Sequence, residues 1–402
     1  MKPIKDGIDR RGFLKCMQWA GTGMLWRMAA GVPQSTPLHA AEAGAAESFT
    51  FVQISDSHIG FNKPANPDVN ATLQVAIDRI NALDAQPDLI LHTGDLTHLA
   101  KSAEFDTLDQ LLRTLRRREI FYVPGEHDFT GDDGKLYLER FGKGTRGAGW
   151  QSFTHKGVHF VGLNNVVQLE GWGNLGAEQL EWLRKDLAPL SASTPIVIFA
   201  HIPLWTVYPN WNWGTRDSEA MLALLKRFGS VTVLNGHIHQ VMQKVEGSVT
   251  FHTAMSTAFP QPAPGTAPAP GPMKVEADRL RQVLGIAQVS FKPGEHALAV
   301  VDTPLAATSV AFDQRCGGCH SLDEPKVGPP LRHAYGRQAA ADPKYAYSDA
   351  LKKSGISWNE ANLDKWLKDP EAFVPGSDMP ARLDNAAERK AIIDYLRSLR
   401  AQ

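Results

Sequence analysis

Three cysteines in 402 residues are too few to staple a fold. Two of them, Cys316 and Cys319, stand only two residues apart, so a disulfide-built secreted scaffold is excluded. Neither sign of charge is in excess: 42 Lys and Arg oppose 43 Asp and Glu, a formal −1, which leaves no global field to recruit nucleic acid as a specific partner or an anionic membrane. No run reaches the ~18 continuous apolar residues of a membrane-spanning helix, and no internal repeat marks a solenoid or propeller. What is present is length and apolar content, 43% hydrophobic residues with 34 Gly and 26 Pro. At roughly 150 residues per domain this suits two or three domains with sizeable cores, stabilised by packing.

Residues 1–40 carry six basic side chains (Lys2, Lys5, Arg10, Arg11, Lys15, Arg27) against Asp6 and Asp9, then a moderately apolar Cys16–Val32 segment and small residues. That is the layout of an export signal. Asp9-Arg10-Arg11-Gly12-Phe13-Leu14-Lys15 resembles the twin-arginine signal, which implies a periplasmic protein. Cleavage could follow Ala40, Ala41 or Ala45, and Cys16 lies within the removed segment.

From Phe49 onward short apolar runs alternate with helix-period segments, the pattern of a layered α/β domain. Phe49–Ile54, Asp88–Leu91, Ile120–Val123, Ile196–Ala200 and Val231–Leu234 read as buried strands, and Ser152–His155 with Val158–Leu163 as a hairpin. Val69, Leu73, Ala76, Ile77, Ile80 and Leu83 share one helical face, as do Phe105, Leu108, Leu111, Leu112 and Leu115. Pro260–Pro272 reads as a surface loop or linker by composition. Strands Ile286–Phe291 and Leu298–Val301 are expected to return to the same domain. A boundary falls near Pro304–Ser309, and the rest reads as helical.

Each buried strand is followed at once by metal-ligand types: Asp56-Ser57-His58, Gly94-Asp95, Gly125-Glu126-His127-Asp128, His201, and Gly236-His237-Ile238-His239. In open α/β sheets ligands bind beyond the carboxyl ends of strands, so five such endings can converge on one site. Carboxylate oxygens and neutral imidazoles suit Zn, Fe and Mn. A metal pair roughly 3.5–4 Å apart activates water and neutralises charge in a displacement at phosphorus.

In this order the motifs resemble the calcineurin-like metallophosphoesterases over residues 49–305. Asp95-Leu96-Thr97-His98 and the Leu175–Leu183 segment are similar to the cyclic-nucleotide phosphodiesterases among them. The resemblance implies an α/β fold, a four-layer αββα sandwich. It also implies that Asp56, His58 and His239 hold one metal, that His201 and His237 hold a second with Glu126 beside them, and that Asp95 bridges the two. His127 would donate a proton to the leaving group, with Asp128 orienting it. Where the family pattern has a neutral Asn, this chain has Glu126, whose charge favours Fe or Mn over Zn. His98 is a candidate to orient a ligand, while His92, His155, His159 and His252 read as ordinary strand or loop residues. The aromatics of Tyr208–Trp213 read equally as a substrate wall or as packing.

Cys316-Gly317-Gly318-Cys319-His320 has the spacing of c-type haem attachment. Residues 308–402 resemble a class I cytochrome c, a small all-α domain, through Gly328-Pro329-Pro330-Leu331, Tyr335-Gly336-Arg337, Tyr345, Tyr347, Trp358 and Pro375-Gly376-Ser377-Asp378-Met379-Pro380. The resemblance implies one covalently bound haem on Cys316 and Cys319 with His320 and Met379 as axial ligands, Pro329 holding the His320 ring and Trp358 reaching a propionate. His/Met ligation leaves no open iron position, which suits electron transfer with a periplasmic donor or acceptor. Together these readings describe an exported di-metal hydrolase of phosphate esters, chiefly diesters, with no membrane span expected in the mature chain. The alternative is a redox protein in which the dinuclear centre exchanges electrons with the haem and hydrolysis is incidental.

Overall fold

The computed structural model describes residues 47–83, 85–166, 171–295, 298–306 and 310–399. Of the expected export signal it describes only the backbone of two paired strands, Met24–Ala29 and Val32–Pro37. The Arg10-Arg11 pair and the cleavage positions lie outside the described residues.

Residues up to 306 build two facing sheets. The first comprises β1 (Phe49–Ile54), β2 (Leu89–Thr93), β3 (Ile120–Val123), and two later strands, Gly285–Phe291 and Ala299–Pro304. The second comprises β4 (Gln151–His155), β5 (Val158–Gly162), β6 (Ile196–Phe199), β7 (Val231–Asn235), β8 (Gln243–Glu246) and β9 (Val249–Thr253). In the first sheet β1, β2 and β3 run parallel, with the two later strands, β10 and β11, antiparallel at the far edge. In the second, β5, β6, β7 and β9 run parallel, and β4 and β8 close the edges antiparallel.

Side chains alternate across each strand, so every strand feeds two cores. Phe49, Phe51, Leu89, Leu91 and Val123 meet Val158, Phe160, Val197, Phe199 and Leu234 between the sheets. On the outer face of the first sheet, Val52, Ile54 and Ile90 pack on helices α1 (Val69–Asn81) and α2 (Ser102–Leu112) through Leu73, Ile77, Phe105 and Leu108. Val161, Ile198 and Val233 pack on Leu183 and Leu187 of the helix Gly176–Leu187 and on Met221 and Leu225 of the helix Ser218–Leu225. Helix, sheet, sheet, helix is the four-layer order expected. Burial on both faces explains why the parallel strands read as continuous apolar runs. Helix α1 begins where Asp68 accepts a hydrogen bond from the Ala71 amide at 3.0 Å, a side-chain cap on an otherwise unsatisfied donor.

The helices Gly176–Leu187 and Ser218–Leu225 and the strand Val249–Thr253 were not read from the sequence, nor were three shorter elements. Gln243–Glu246 is exposed along its whole length, and Lys135–Phe141 and Ala277–Val283 are seven-residue helices too short to establish a period. β11 runs on to Pro304, and Leu305 is buried in the core of the first sheet. A further core gathers Phe312, Cys316, Leu351, Trp358, Leu363, Trp366, Ile392 and Leu396. It is built on helices Glu360–Lys368 and Ala386–Leu399. Among the described residues no helix is long and apolar enough to cross a membrane.

Candidate functional site

The carboxyl ends of β1, β2, β3, β6 and β7 open at one place. Asp56, His58, Asp95, His237 and His239 all have positive φ, between 41° and 69°. Non-glycine residues seldom adopt that region, and runs of them collect where function over-determines the backbone. The two endings of the first sheet are stitched by Asp56 N to the Gly94 carbonyl at 3.0 Å and His58 N to the Asp95 carbonyl at 2.9 Å. Gly236 closes against the first sheet so tightly that a Cβ there would lie 2.6 Å from Asp56 Oδ2, which glycine alone avoids.

The seven side chains form two groups. Asp56, His58 and His239 make one, with His239 Nε2 3.2 Å from Asp56 Oδ1 and 3.3 Å from His58 Nε2. Glu126, His201 and His237 make the other, with Glu126 Oε2 2.9 Å from His201 Nε2 and Oε1 2.8 Å from His237 Nδ1. Asp95 Oδ2 lies between them, 3.4 Å from His58 Nε2 and 3.3 Å from His201 Nε2. Close as they are, His201 Nε2, His237 Nδ1 and Glu126 Oε2 are buried and make no well-aligned hydrogen bond among the described residues. Stranded polar atoms of this kind are costly unless something binds them. Three lone-pair donors within 4.8 Å of one another fit a cation.

Backbone carbonyls fix the rings. His201 Nδ1 donates to Thr93 O at 2.7 Å and His239 Nδ1 to Phe259 O at 2.5 Å, leaving Nε2 of each for a ligand. Gln261 donates to the His237 carbonyl at 2.9 Å. The first residues of the Pro-rich stretch therefore belong to the site and are not a linker, a role its composition hid. Burial, with the neighbouring His127 and His239, pushes His58 well below its ordinary value, which favours a neutral, ligating ring. Burial pushes Glu126 up, but the His237 and His201 rings outweigh it and hold the carboxyl well below the usual range.

His127 stands beside both groups. Its Nδ1 bonds the His98 carbonyl at 2.8 Å, and its amide donates to Asp95 Oδ1 at 3.0 Å. The expectation that Asp128 orients the His127 ring does not hold. The Asp128 carboxylate accepts from Leu96 N, Thr97 N, Thr97 Oγ1 and Gly125 N at 2.9–3.0 Å, so it clamps the β2 loop to the β3 loop. His98 Nδ1 approaches His58 Nδ1 at 3.5 Å. His155, His159 and His252 instead pair with Asp88, Asp186 and Asp302. Trp213 is buried and packs on Trp211, which favours the packing reading for that segment of the aromatic loop.

In the C-terminal domain an apolar cavity is lined by Cys316, Cys319, His320, Pro329, Trp358 and Met379. His320 Nδ1 bonds the Pro329 carbonyl at 2.8 Å, and a Cβ at Gly328 would strike the His320 ring. Arg337 and Tyr347 also line the cavity, and among the described residues the buried Arg337 Nε and Tyr347 hydroxyl have no hydrogen-bond partner. A flat apolar group with acidic substituents fits those walls. The sequence reading assigned these two residues no role, although a charge inside an apolar module is itself a signal.

Residues 49–241 match the family model for calcineurin-like phosphoesterases, and residues 306–400 match that for cytochrome c. Cytochrome c2 iso-2 of Magnetospirillum molischianum is 42% identical over 88 residues, 21% of this chain and 91% of the relative. Among solved structures, cytochrome cH from Methylobacterium extorquens is 40% identical over 22% of this chain and 91% of its own, with a TM-score of 0.21. A dimetal phosphatase from Danio rerio is 14% identical over 64% of this chain and 96% of its own, with a TM-score of 0.47.

Proposed function

The chain joins a calcineurin-like phosphoesterase domain, a metal-dependent hydrolase of phosphoric esters, to a domain of the cytochrome c family, and we propose that it is an exported phosphodiesterase whose haem module sets the oxidation state of its metal pair. The observation that carries the hydrolytic reading is the convergence of two ligand groups on Asp95 Oδ2. Asp56, His58 and His239 would hold one ion, Glu126, His201 and His237 the other, and Asp95 would bridge them. Bound there, Fe or Mn supplies Lewis-acid activation of water and neutralises charge on the oxygens at phosphorus. With Nδ1 of His127 committed to the His98 carbonyl, its Nε2 is left to protonate the departing alkoxide.

In the C-terminal domain Cys316 and Cys319 would carry the haem, with His320 and Met379 as axial ligands. The Pro329 carbonyl fixes His320 Nδ1 and so leaves Nε2 to serve as the axial ligand. Arg337, Tyr347 and Trp358, which line the cavity, would donate to the haem propionates. The haem supplies one-electron transfer, with a periplasmic donor or acceptor as its outside partner. Its attachment to a phosphoesterase in one chain supports redox control. A trivalent ion would acidify water more strongly than a divalent one, whereas two trivalent ions would hold product too tightly, which makes a mixed-valent pair the expected active form.

The test is to poise the haem-loaded chain at a series of potentials and follow hydrolysis of a phosphodiester, beside a Cys316→Ala/Cys319→Ala variant. A rate that peaks at an intermediate potential, and depends on the haem for its response to an external reductant, is expected. A flat rate, identical in both chains, overturns the redox control. Electron exchange with no ester hydrolysis at any potential establishes the alternative, a purely redox centre.

A further inference from the structure

Resting on the di-metal reading above, we propose that Glu126 filters substrates by charge, admitting singly charged phosphodiesters and turning away doubly charged phosphomonoesters and inorganic phosphate. The observation is a third carboxylate, Glu126, standing in the second ligand group beside His201 and His237. The Glu126 carboxylate spans the second ligand group, one oxygen 2.9 Å from His201 Nε2 and the other 2.8 Å from His237 Nδ1, and its side chain keeps 18% of its surface exposed. It is thus both a ligand and a section of the wall that an entering phosphate meets.

The charge balance gives the sign. Asp56, Asp95 and Glu126 bring three negative charges among four imidazoles. A mixed-valent pair then leaves the centre two units positive, where a neutral residue at 126 would leave it three units positive. An anionic nucleophile drawn from water lowers that to one. A diester, with one charge, cancels the remainder, whereas a monoester brings a second charge that the ligand set does not offset. Among the described residues, the ion-pair partners of Asp56, Asp95 and Glu126 are all histidines. Opposed like charges in a partly desolvated site are repulsive enough to discriminate.

The test uses the full, metal-loaded, haem-loaded chain with bis(p-nitrophenyl) phosphate and p-nitrophenyl phosphate, which share a leaving group. Calorimetric binding of inorganic phosphate and a metal count by mass spectrometry accompany the kinetics. In Glu126→Asn the diester-to-monoester ratio of kcat/KM should fall by about tenfold or more, and phosphate should bind more tightly by a similar factor. Glu126→Asp keeps the charge and should keep the ratio. Two metals retained with an unchanged ratio and unchanged phosphate affinity overturns the filter. If Glu126→Asn sheds metal, the native chain decides: it should bind singly charged dimethyl phosphate more tightly than inorganic phosphate, and the reverse order overturns the proposal. A native chain that binds two metals yet hydrolyses neither ester sinks the phosphoesterase reading itself, a different result from losing the filter.

Discussion

The imidazole of His127 lies nearly face to face with that of His98, ring centroids 4.8 Å apart and planes 20° from parallel, and its Nδ1 bonds the carbonyl of that same His98. One residue therefore fixes both the plane and the tautomer of the proposed acid. Burial draws the His127 ring down, but Asp95 and Glu126 outweigh it and raise it above its ordinary value. His127→Ala is expected to retain its metals and to slow hydrolysis by roughly 10²–10⁴-fold for alkyl esters, with a smaller loss for p-nitrophenyl esters whose leaving group needs no proton. Equal losses for both ester types would remove His127 from the proton-donor role.

Asp128 should behave differently, because it holds loops and not the acid. Asp128→Ala strands the Leu96, Thr97 and Gly125 amides and the Thr97 hydroxyl, each costing about 1–3 kcal/mol when left buried and unpaired. A loss of stability of ~3 kcal/mol or more is expected in denaturant unfolding, with the dependence on leaving group unchanged. A stable variant with the leaving-group signature of His127→Ala would restore the orienting role to Asp128.

His92 gives a pH signature. Burial drives its ring from 6.5 down to about 3, and its Nε2 bonds the Ser57 hydroxyl at 2.9 Å. Since the folded value lies below the unfolded one, the unfolded chain takes up a proton between those limits that the folded chain refuses. The stabilising contribution is whole above about pH 6.5 and is lost as pH falls towards 3, at about 1.4 kcal/mol per pH unit. Unfolding free energies from pH 6 to 4 should therefore fall less steeply in His92→Gln than in the native chain. Parallel slopes would show that His92 is not held neutral.

Much of this was legible because the fold advertises its site. Parallel strands buried on both faces leave runs such as Phe49–Ile54 and Ile196–Phe199, and the polar residues just past them had nowhere to go but the strand ends. The partners of Asp128 were not legible. Leu96 N, Thr97 N and Gly125 N are backbone donors that no residue type reveals, and the family resemblance pointed instead to His127. Phe259 and Gln261 were hidden for a similar reason, since a carbonyl and an amide at the head of a Pro-rich stretch look like linker. The exposed strand Gln243–Glu246 carries no alternation because neither of its faces is buried.

The export reading is checked on the Arg10-Arg11 pair. Replacing both by Lys should leave precursor in the cytoplasm and yield no haem-stained product, since the haem is attached after export. Normal haem loading of that variant would contradict the twin-arginine route.

Metal titration of the full, haem-loaded chain tests the central claim most directly. The chain is stripped by chelator, Fe or Mn is added back in steps, and bound metal and phosphodiester hydrolysis are followed together. Two equivalents beyond the haem iron should bind, with hydrolysis rising as the second is taken up, and Asp95→Asn should lose both the pair and the activity. Hydrolysis that is complete with one equivalent, or that survives undiminished without added metal, would contradict a bridged pair at Asp95.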